Sequence, residues 1–219
     1  MIDLHTHSIF SDGELLPAEL IRRAQAKGYE GIAITDHADS SNLDWIVPRL
    51  VRFCKDLKGK QGDFQVVPGI ELTHVAPESI ALLTREARKL GAALILVHGE
   101  TIAEPVCPGT NLAALEADVD ILAHPGLIKK KEVELAKAKG IFLEISSRKG
   151  HSLTNGHVAQ LAKKIGASLI LNNDTHSPDD LIDSSQARRI ALGAGIAEND
   201  WEKMKENARN LLETTLSKI

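Results

Sequence analysis

Residues 17–37 read PAELIRRAQAKGYEGIAITDH, and this stretch contains the features on which the fold prediction depends. Pro17–Lys27 has the apolar spacing of an amphipathic helix and carries proline in its first turn. Gly28 then predicts the end of the helix, and Gly31–Thr35 is a short apolar run typical of a buried strand. An aspartate and a histidine follow the strand directly. The stretch therefore predicts a helix–strand unit with chemically active side chains where the strand ends.

The same unit recurs along the chain. The apolar runs predicted as strands are Ile2–Leu4, Gly31–Thr35, Gln65–Ile70, Ala93–Val97, Asp120–Ala123, Ile141–Ile145 and Ser168–Leu171. The predicted helices between them are Pro17–Lys27, Leu43–Lys58, Pro77–Leu90, Lys129–Lys139 and His151–Ile165. Glycines stand where several of these helices should end. Repeated alternation of strand and helix predicts parallel strands with helices outside them.

This pattern predicts an α/β fold, a distorted TIM-like barrel of seven strand–helix units, (β/α)7. The chain has 219 residues, which suits a single barrel domain spanning residues 1–219. The intervals from His5 to Asp174 average about 28 residues, close to the length of a βαβ repeat. Residues 198–217 are predicted as a C-terminal helix that packs on the barrel exterior.

The composition limits the classes of partner. Hydrophobic residues make up 43% and charged residues 26%, as in soluble globular domains. The net charge of −4 gives no general attraction to nucleic acids or anionic membranes, so neither is expected as a stable partner. No targeting or membrane-spanning pattern is found, which predicts a cytoplasmic location. Cys54 and Cys107 indicate neither a disulfide framework nor a zinc ribbon.

Every predicted strand ends in a histidine or a carboxylate. These residues are His5, His7, Asp36, His37, Glu71, His98, His124, Glu144, Asp174 and His176. Six of the nine histidines lie at strand ends, where random placement would put about one. Barrel enzymes place their chemistry at the C-terminal ends of the strands, so these side chains are expected to converge. Imidazole and carboxylate ligands suit zinc, manganese or iron.

Strand geometry suggests how these residues share ions. Residues i and i+2 of a strand point to the same side, so His5 and His7 can reach one ion together. Asp174 and His176 can do the same on the opposite wall. Glu71 has two carboxylate oxygens and lies midway in the barrel order, which favours it as a bridge between two ions.

The remaining polar residues have less direct roles. Asp12 follows the first strand in a Ser-Asp-Gly turn and can swing over the mouth of the barrel. Asp36 and Glu144 are expected to hold metal ligands in place rather than bind metal. Three histidines follow no strand end and are expected on loops or helix surfaces: His74, His151 and His157.

Taken in order, these residues resemble the motifs of the polymerase and histidinol phosphatase family of metal-dependent phosphoesterases. The matching pieces are Asp3-Leu4-His5-Thr6-His7, Ser11-Asp12-Gly13, Thr35-Asp36-His37, Pro68-Gly69-Ile70-Glu71, Val97-His98, Ala123-His124-Pro125, Leu143-Glu144-Ile145 and Asn173-Asp174-Thr175-His176. The family fold is a distorted barrel of seven strand–helix units, in agreement with the count above. The chain departs from the family at Asn172-Asn173, where a Gly-Ser pair is common.

The resemblance implies a site for three divalent metal ions, zinc, manganese or iron. The implied ligands are His5, His7, Glu71 and Asp174 for the first ion, Glu71, His98 and His124 for the second, and Asp12, His37 and His176 for the third. Arg148 and Lys149 resemble a basic stretch of histidinol phosphatases that meets phosphate, so both are expected to bind substrate.

The expected function is hydrolysis of a small phosphorylated metabolite, a histidinol-phosphate-like monoester, by metal-activated hydroxide attack on phosphorus. The expected catalytic residues are Asp12, Glu71 and Arg148. An alternative in the same class is a nucleotide or oligonucleotide phosphatase or phosphodiesterase. An amidohydrolase-type metal hydrolase is a further alternative, although such enzymes usually need a bridging lysine where this chain has His98. The last alternative is a non-catalytic metal-binding module within an assembly.

Overall fold

The computed structural model describes residues 1–219 and contains eight strands and eight helices. The strands are β1 (Ile2–Asp3), β2 (Gly31–Ile34), β3 (His37–Ala38), β4 (Gln65–Leu72), β5 (Leu94–His98), β6 (Ile121–Ala123), β7 (Phe142–Ser146) and β8 (Leu169–Asn172). The helices are α1 (Pro17–Ala26), α2 (Leu43–Leu57), α3 (Pro77–Leu90), α4 (Thr110–Glu116), α5 (Lys130–Lys139), α6 (Asn155–Ile165), α7 (Ser184–Gly193) and α8 (Glu198–Leu216). Two short 3-10 turns cover His151–Thr154 and Pro178–Asp180.

The strands form a nearly closed parallel barrel. Their spatial order is β1-β2-β4-β5-β6-β7-β8, and all paired neighbours are parallel. β3 continues β2 after a two-residue break and also pairs with β4, so these two segments fill one position in the barrel. A parallel bridge between Thr6 and Thr175 joins the two edges. The predicted α/β barrel of seven strand positions is therefore confirmed.

Side chains complete the junction between β1 and β8. The Leu4 amide donates a hydrogen bond to Oδ1 of Asn172 at 2.9 Å, and the Asn173 amide donates to Oδ1 of Asp3 at 3.1 Å. Nδ2 of Asn173 also donates to the Tyr29 hydroxyl at 2.7 Å. The Asn-Asn pair, where the sequence departs from the family motif, thus supplies hydrogen bonds that the short strand ladder lacks at this junction.

Helix α8 lies across the N-terminal ends of the strands, and not on the barrel exterior as predicted. Its Leu211 and Leu212 belong to the same apolar cluster as the barrel residues Leu4, Leu94 and Leu96. Polar contacts fix the same position, because Nδ2 of Asn207 donates to the Leu169 carbonyl, at the start of β8, at 2.8 Å. The apolar face of α8 thus covers the apolar side chains inside the barrel. A separate, larger apolar cluster lies between the strands and the surrounding helices.

The predicted elements match the structure to within four residues at their ends. The helix predicted over His151–Ile165 begins with the 3-10 turn, while α4 and α7 were not predicted. Gly91 and Gly166 end α3 and α6 with φ of 102° and 81°, a conformation that favours glycine. None of the helices combines the length and apolar character needed to cross a membrane. Both cysteines are free thiols.

Candidate metal centre

The C-terminal ends of the strands meet around a cavity of about 160 Å³. Ten polar or charged residues line it: Asp12, His37, Thr73, His74, His98, Glu104, Arg148, His151, Asp174 and His176. None of the ten is hydrophobic. The buried residues His5, His7, Glu71 and His124 contact this lining, so all nine predicted metal-binding residues come together at one rim.

The four residues that the resemblance assigned to a first ion form the innermost group. Nε2 of His5 lies 3.3 Å from Oε1 of Glu71 and 3.6 Å from Oδ1 of Asp174. Nε2 of His7 lies 3.2 Å from the same Asp174 oxygen. All four side chains are at most 3% exposed. Their donor atoms are therefore close enough to surround one cation.

The residues assigned to the second and third ions are also adjacent. Nε2 of His124 lies 3.4 Å from Oε1 of Glu71, and the His98 and His124 rings are 4.4 Å apart. On the other side, Oδ1 of Asp12 lies 3.4 Å from Nε2 of His37 and 3.2 Å from Nε2 of His176. Glu71 thus joins the first two groups, as expected for a bridging carboxylate.

Two buried carboxylates support the ligands. Glu144 accepts hydrogen bonds from Nδ1 of His5 at 2.8 Å and from the His124 amide at 3.0 Å. Asp36 accepts from the Ser8 amide at 2.7 Å and from the Ser11 hydroxyl at 2.8 Å, which holds the loop that carries Asp12. Both contacts agree with the positioning role expected from the sequence.

Charge interactions outweigh burial at the central carboxylates. Burial favours the neutral acid, yet the imidazoles of His5 and His37 hold the pKa of Glu71 well below its ordinary value. His5 and His7 do the same to the pKa of Asp174. Both residues are therefore anions at neutral pH, the form in which carboxylates bind metal.

Asp12 is also ionised. Burial opposes the shift, but the hydrogen bond from His176 and the charge of His37 lower the pKa of Asp12. A carboxylate that holds no proton at neutral pH is suited to bind a cation rather than to donate a proton. The pKa shift therefore favours the ligand role of Asp12 over the protonation of a leaving group.

A test of whether these residues fit metal ions comes from their buried polar atoms. The side-chain atoms at this rim that are buried without a hydrogen-bond partner are Nε2 of His5, both ring nitrogens of His7, Oε1 of Glu71, Nδ1 of His98, Nδ1 of His124 and Oδ1 of Asp174. Each such atom costs about 1–3 kcal/mol unless something binds it. Several of them face one another across distances that a shared cation would satisfy. The donor set therefore fits divalent metal.

Backbone strain is concentrated at the same rim. Only three non-glycine residues of the chain have positive φ: His74 at 52°, His124 at 24° and Asp174 at 54°. Such conformations cost on the order of 1–3 kcal/mol each and persist where surrounding contacts enforce them. Two of the three are predicted metal ligands, so the backbone strain that orients their side chains lowers the stability of the fold.

The sequence model of the PHP domain family matches residues 3–217. The chain belongs to the PHP domain family. An uncharacterised protein of Methanocaldococcus jannaschii is 48% identical over 201 residues, 91% of this chain and 92% of that protein. Ribonuclease P protein component 3 of Methanosarcina barkeri is 28% identical and covers 90% and 82%. A probable phosphatase of Acetivibrio thermocellus is 27% identical and covers 80% and 79%.

Solved structures share the fold of this PHP domain. A chain of an archaeal ribonuclease P with mature tRNA superposes with a TM-score of 0.74 at 18% identity, covering 98% of this chain and 91% of that one. Histidinol phosphate phosphatase of Lactococcus lactis, in complex with zinc, L-histidinol and phosphate, gives a TM-score of 0.62 at 19% identity, covering 90% and 94%. At these identities the likeness concerns the fold alone.

His151 was predicted from the sequence to lie on a loop or helix surface. In this PHP domain it is instead buried and forms part of the site. Its side chain is 4% exposed, and its ring stacks on His124 with centroids 4.1 Å apart. Glu104 was not predicted at all, yet its carboxylate contacts His98, His151 and His74 at 3.1, 3.4 and 3.3 Å. Both follow a strand end by five or six residues, which places them in loops at the same rim, but no sequence pattern marks which loop residues face the cavity.

The other two histidines that follow no strand end, His74 and His157, differ in their position relative to the cavity. His74 is half-exposed at the edge of the cavity, so its loop position is as predicted although it lies in the site. His157 lies on α6 and its Nε2 donates to the Ile128 carbonyl at 2.8 Å. It is therefore a structural residue outside the cavity.

The two predicted substrate-binding residues differ in position. Arg148 lines the cavity, where its Nη1 donates to the Asp174 carbonyl at 3.1 Å and lies 3.6 Å from Oδ2 of Asp180. It is the only lysine or arginine in the lining. Lys149 is exposed and does not line the cavity.

Proposed function

We propose that this PHP domain is a metal-dependent phosphoesterase that hydrolyses a small phosphorylated metabolite, with a histidinol-phosphate-like monoester as the lead substrate. The observation that carries the proposal is the group of buried imidazole and carboxylate atoms without hydrogen bonds beside a polar cavity with one arginine. Such a site pairs cation ligands with a group that binds phosphate.

Three ions are assigned to the residues that contact one another. His5, His7, Glu71 and Asp174 would hold the first ion, Glu71, His98 and His124 the second, and Asp12, His37 and His176 the third. When bound, divalent ions activate water as a nucleophile and neutralise the charge that develops on phosphate oxygens. Imidazole and carboxylate donors suit zinc, manganese or iron.

The residues of the chain orient the substrate. The Arg148 guanidinium, which is 28% exposed, presents N–H donors to the cavity and is held by Asp174 and Asp180. A guanidinium can bind two phosphate oxygens at once, which fixes the orientation of the ester. The cavity is small and lacks apolar residues, which favours a small polar leaving group over a large apolar one.

The similarity to a probable phosphatase and the fold shared with a histidinol phosphate phosphatase support this class of reaction. A nucleotide or oligonucleotide ester is the alternative within the class. The net charge of −4 disfavours a long nucleic acid substrate, because such substrates are held mainly through phosphate contacts with basic residues.

A second candidate function is a subunit of an RNA–protein assembly. The likeness to ribonuclease P protein component 3 favours it, in sequence and in fold. The acidic net charge and the presence of all nine predicted ligands favour the enzyme instead. A protein that served only as a scaffold would have no need to bury charged side chains without hydrogen bonds.

The experiment is a substrate panel with metal-loaded protein, comprising histidinol phosphate, AMP and a phosphate bis-ester. We expect hydrolysis of a monoester, and a loss of kcat/KM of about 10- to 100-fold in Arg148→Ala, since a charge-assisted hydrogen bond contributes about 1.5–3 kcal/mol. Arg85→Ala, on the exposed face of α3, is the matched control and should be unchanged. Lys149→Ala tests the neighbouring cation.

If metal-loaded protein hydrolyses no phosphate ester, the proposal is wrong, and activity on the bis-ester alone would favour the nucleic acid alternative.

A further inference from the structure

We infer that Glu104 and His151 are additional metal ligands, which bind the ion held by His98. The inference rests on the proposed metal-dependent function and extends its donor set beyond the nine family positions. Neither residue belongs to a motif that the sequence shares with the family. Both come from loops that follow strands, Glu104 between β5 and α4 and His151 between β7 and α6.

The distances fit donors that share a cation. Oε2 of Glu104 lies 3.1 Å from Nε2 of His98, and Oε1 lies 3.4 Å from Nε2 of His151. Two donors that bind one ion at about 2.1 Å with tetrahedral angles lie about 3.4 Å apart. The nitrogens of His98, His124 and His151 also lie within 4.8 Å of one another. His98 thus belongs both to this set of three imidazoles and to a set with His74 and Glu104, so a carboxylate and further imidazoles surround it.

His151 is oriented in the way that metal-binding histidines usually are. Its Nδ1 is hydrogen-bonded to Oγ1 of Thr101 at 2.8 Å, and this contact turns Nε2 toward the cavity. Nε2 lies 3.4 Å from Oε1 of Glu104 and 3.6 Å from Oδ2 of Asp174. A partner that fixes one ring nitrogen while the other faces a cluster of ligands is the common arrangement around bound metals.

His98 contributes a buried imidazole to this group and contacts Glu104 through Nε2. The side chain is 97% buried, and its Nδ1 has no hydrogen-bond partner. A buried imidazole that only packed in the core would be expected to have its nitrogens hydrogen-bonded. The strained backbone of His74 places a further imidazole 3.3 Å from Oε2 of Glu104, at the exposed edge of the same group.

An alternative role for Glu104 is to accept a hydrogen bond that orients His98. The substitution Glu104→Gln separates the two roles, because the amide oxygen still accepts a hydrogen bond but lacks the negative charge that holds a cation. His151→Asn tests the second ligand. Glu86→Gln, on the exposed face of α3, is the matched control. Circular dichroism and melting of the metal-free proteins would show that each variant folds.

The test is the zinc content of chelator-stripped, reloaded and desalted protein by mass spectrometry, together with zinc affinity in competition with a chromophoric chelator. We expect Glu104→Gln and His151→Asn each to lose about one zinc per chain, or to weaken the affinity of one site by at least about 10- to 100-fold. Glu86→Gln should match the wild type. If both folded variants keep wild-type zinc content and affinity, the inference is wrong while the proposed function stands. If the wild type binds no metal, both are wrong.

Discussion

Glu71 is the residue on which the centre depends. Its carboxylate lies within 3.8 Å of four imidazoles, those of His5, His7, His37 and His124. It is fully buried at the end of β4, in the middle of the barrel. An anion in this position is stable only because positive charge surrounds it, from protonated imidazole or from bound cations.

Replacement of Glu71 by glutamine should abolish metal-dependent phosphatase activity. The amide keeps the shape of the side chain but removes the charge that bridges two ions, so we expect a loss of kcat of more than about 100-fold. The measurement is turnover of metal-loaded variant and wild type, with Glu78→Gln on α3 as the exposed control. Near-normal turnover in a folded, metal-loaded variant would contradict the bridging role.

Metal binding at pH 7 should release protons. Burial lowers the pKa of His5 and His37, but Glu144 and Glu71 outweigh it and raise both pKa values above the ordinary value. Both imidazoles therefore hold a proton more tightly than a free imidazole does, and a metal ion can bind only where that proton has left. We expect a net release of protons on metal binding and an affinity that rises with pH.

Calorimetric titration with zinc in buffers of different ionisation enthalpy measures this release directly. A heat of binding that is the same in all buffers would show that no proton leaves, and that His5 and His37 are not displaced from their carboxylates.

At the scale of elements, the junction of β1 and β8 connects the fold to the site. Asn172 accepts from the Leu4 amide and donates through Nδ2 to Oε1 of Glu144 at 2.8 Å. Glu144 in turn holds His5. The hydrogen bonds that close the barrel thus form one network with those that orient His5, a proposed metal ligand.

Asn172→Ala should destabilise the protein by about 1–3 kcal/mol, because it leaves the buried Leu4 amide without a partner and removes one of the two hydrogen bonds that Oε1 of Glu144 accepts. For a chain of this size the melting temperature should fall by about 2–4 °C for each kcal/mol. Asn210→Ala, on the exposed face of α8, is the control and should melt like the wild type. Equal melting of both variants would show that the asparagine network contributes no stability.

The strands were the most predictable elements because buried parallel strands have a strong apolar signal. α4 has only seven residues, and α7 buries only two alanines, Ala187 and Ala191, so neither has a clear apolar stripe. Residues at strand ends were predictable because the parallel barrel brings them to one rim. Glu104 and His151 were not, since loop conformation decides where they point and no periodic pattern encodes it.

At the scale of the molecule, the net charge distinguishes the proposed phosphoesterase from a subunit of an RNA–protein assembly. A net charge of −4 leaves little to attract an RNA backbone apart from local groups. We expect no binding of structured RNA tighter than about 10⁻⁴ M near physiological salt, the weak limit of non-specific binding. Filter binding with a transfer RNA measures this, and tight, salt-dependent binding would favour the assembly subunit.

The proposed function requires that one rim of the barrel binds metal ions and that these ions make the chain a phosphoesterase. The most direct measurement is hydrolysis of a small phosphomonoester by chelator-stripped protein as zinc, manganese or iron is added back. We expect no turnover in the stripped protein and recovery of turnover as the ions bind. Turnover that persists without metal, or a folded and metal-loaded protein that hydrolyses no phosphate ester, would contradict it.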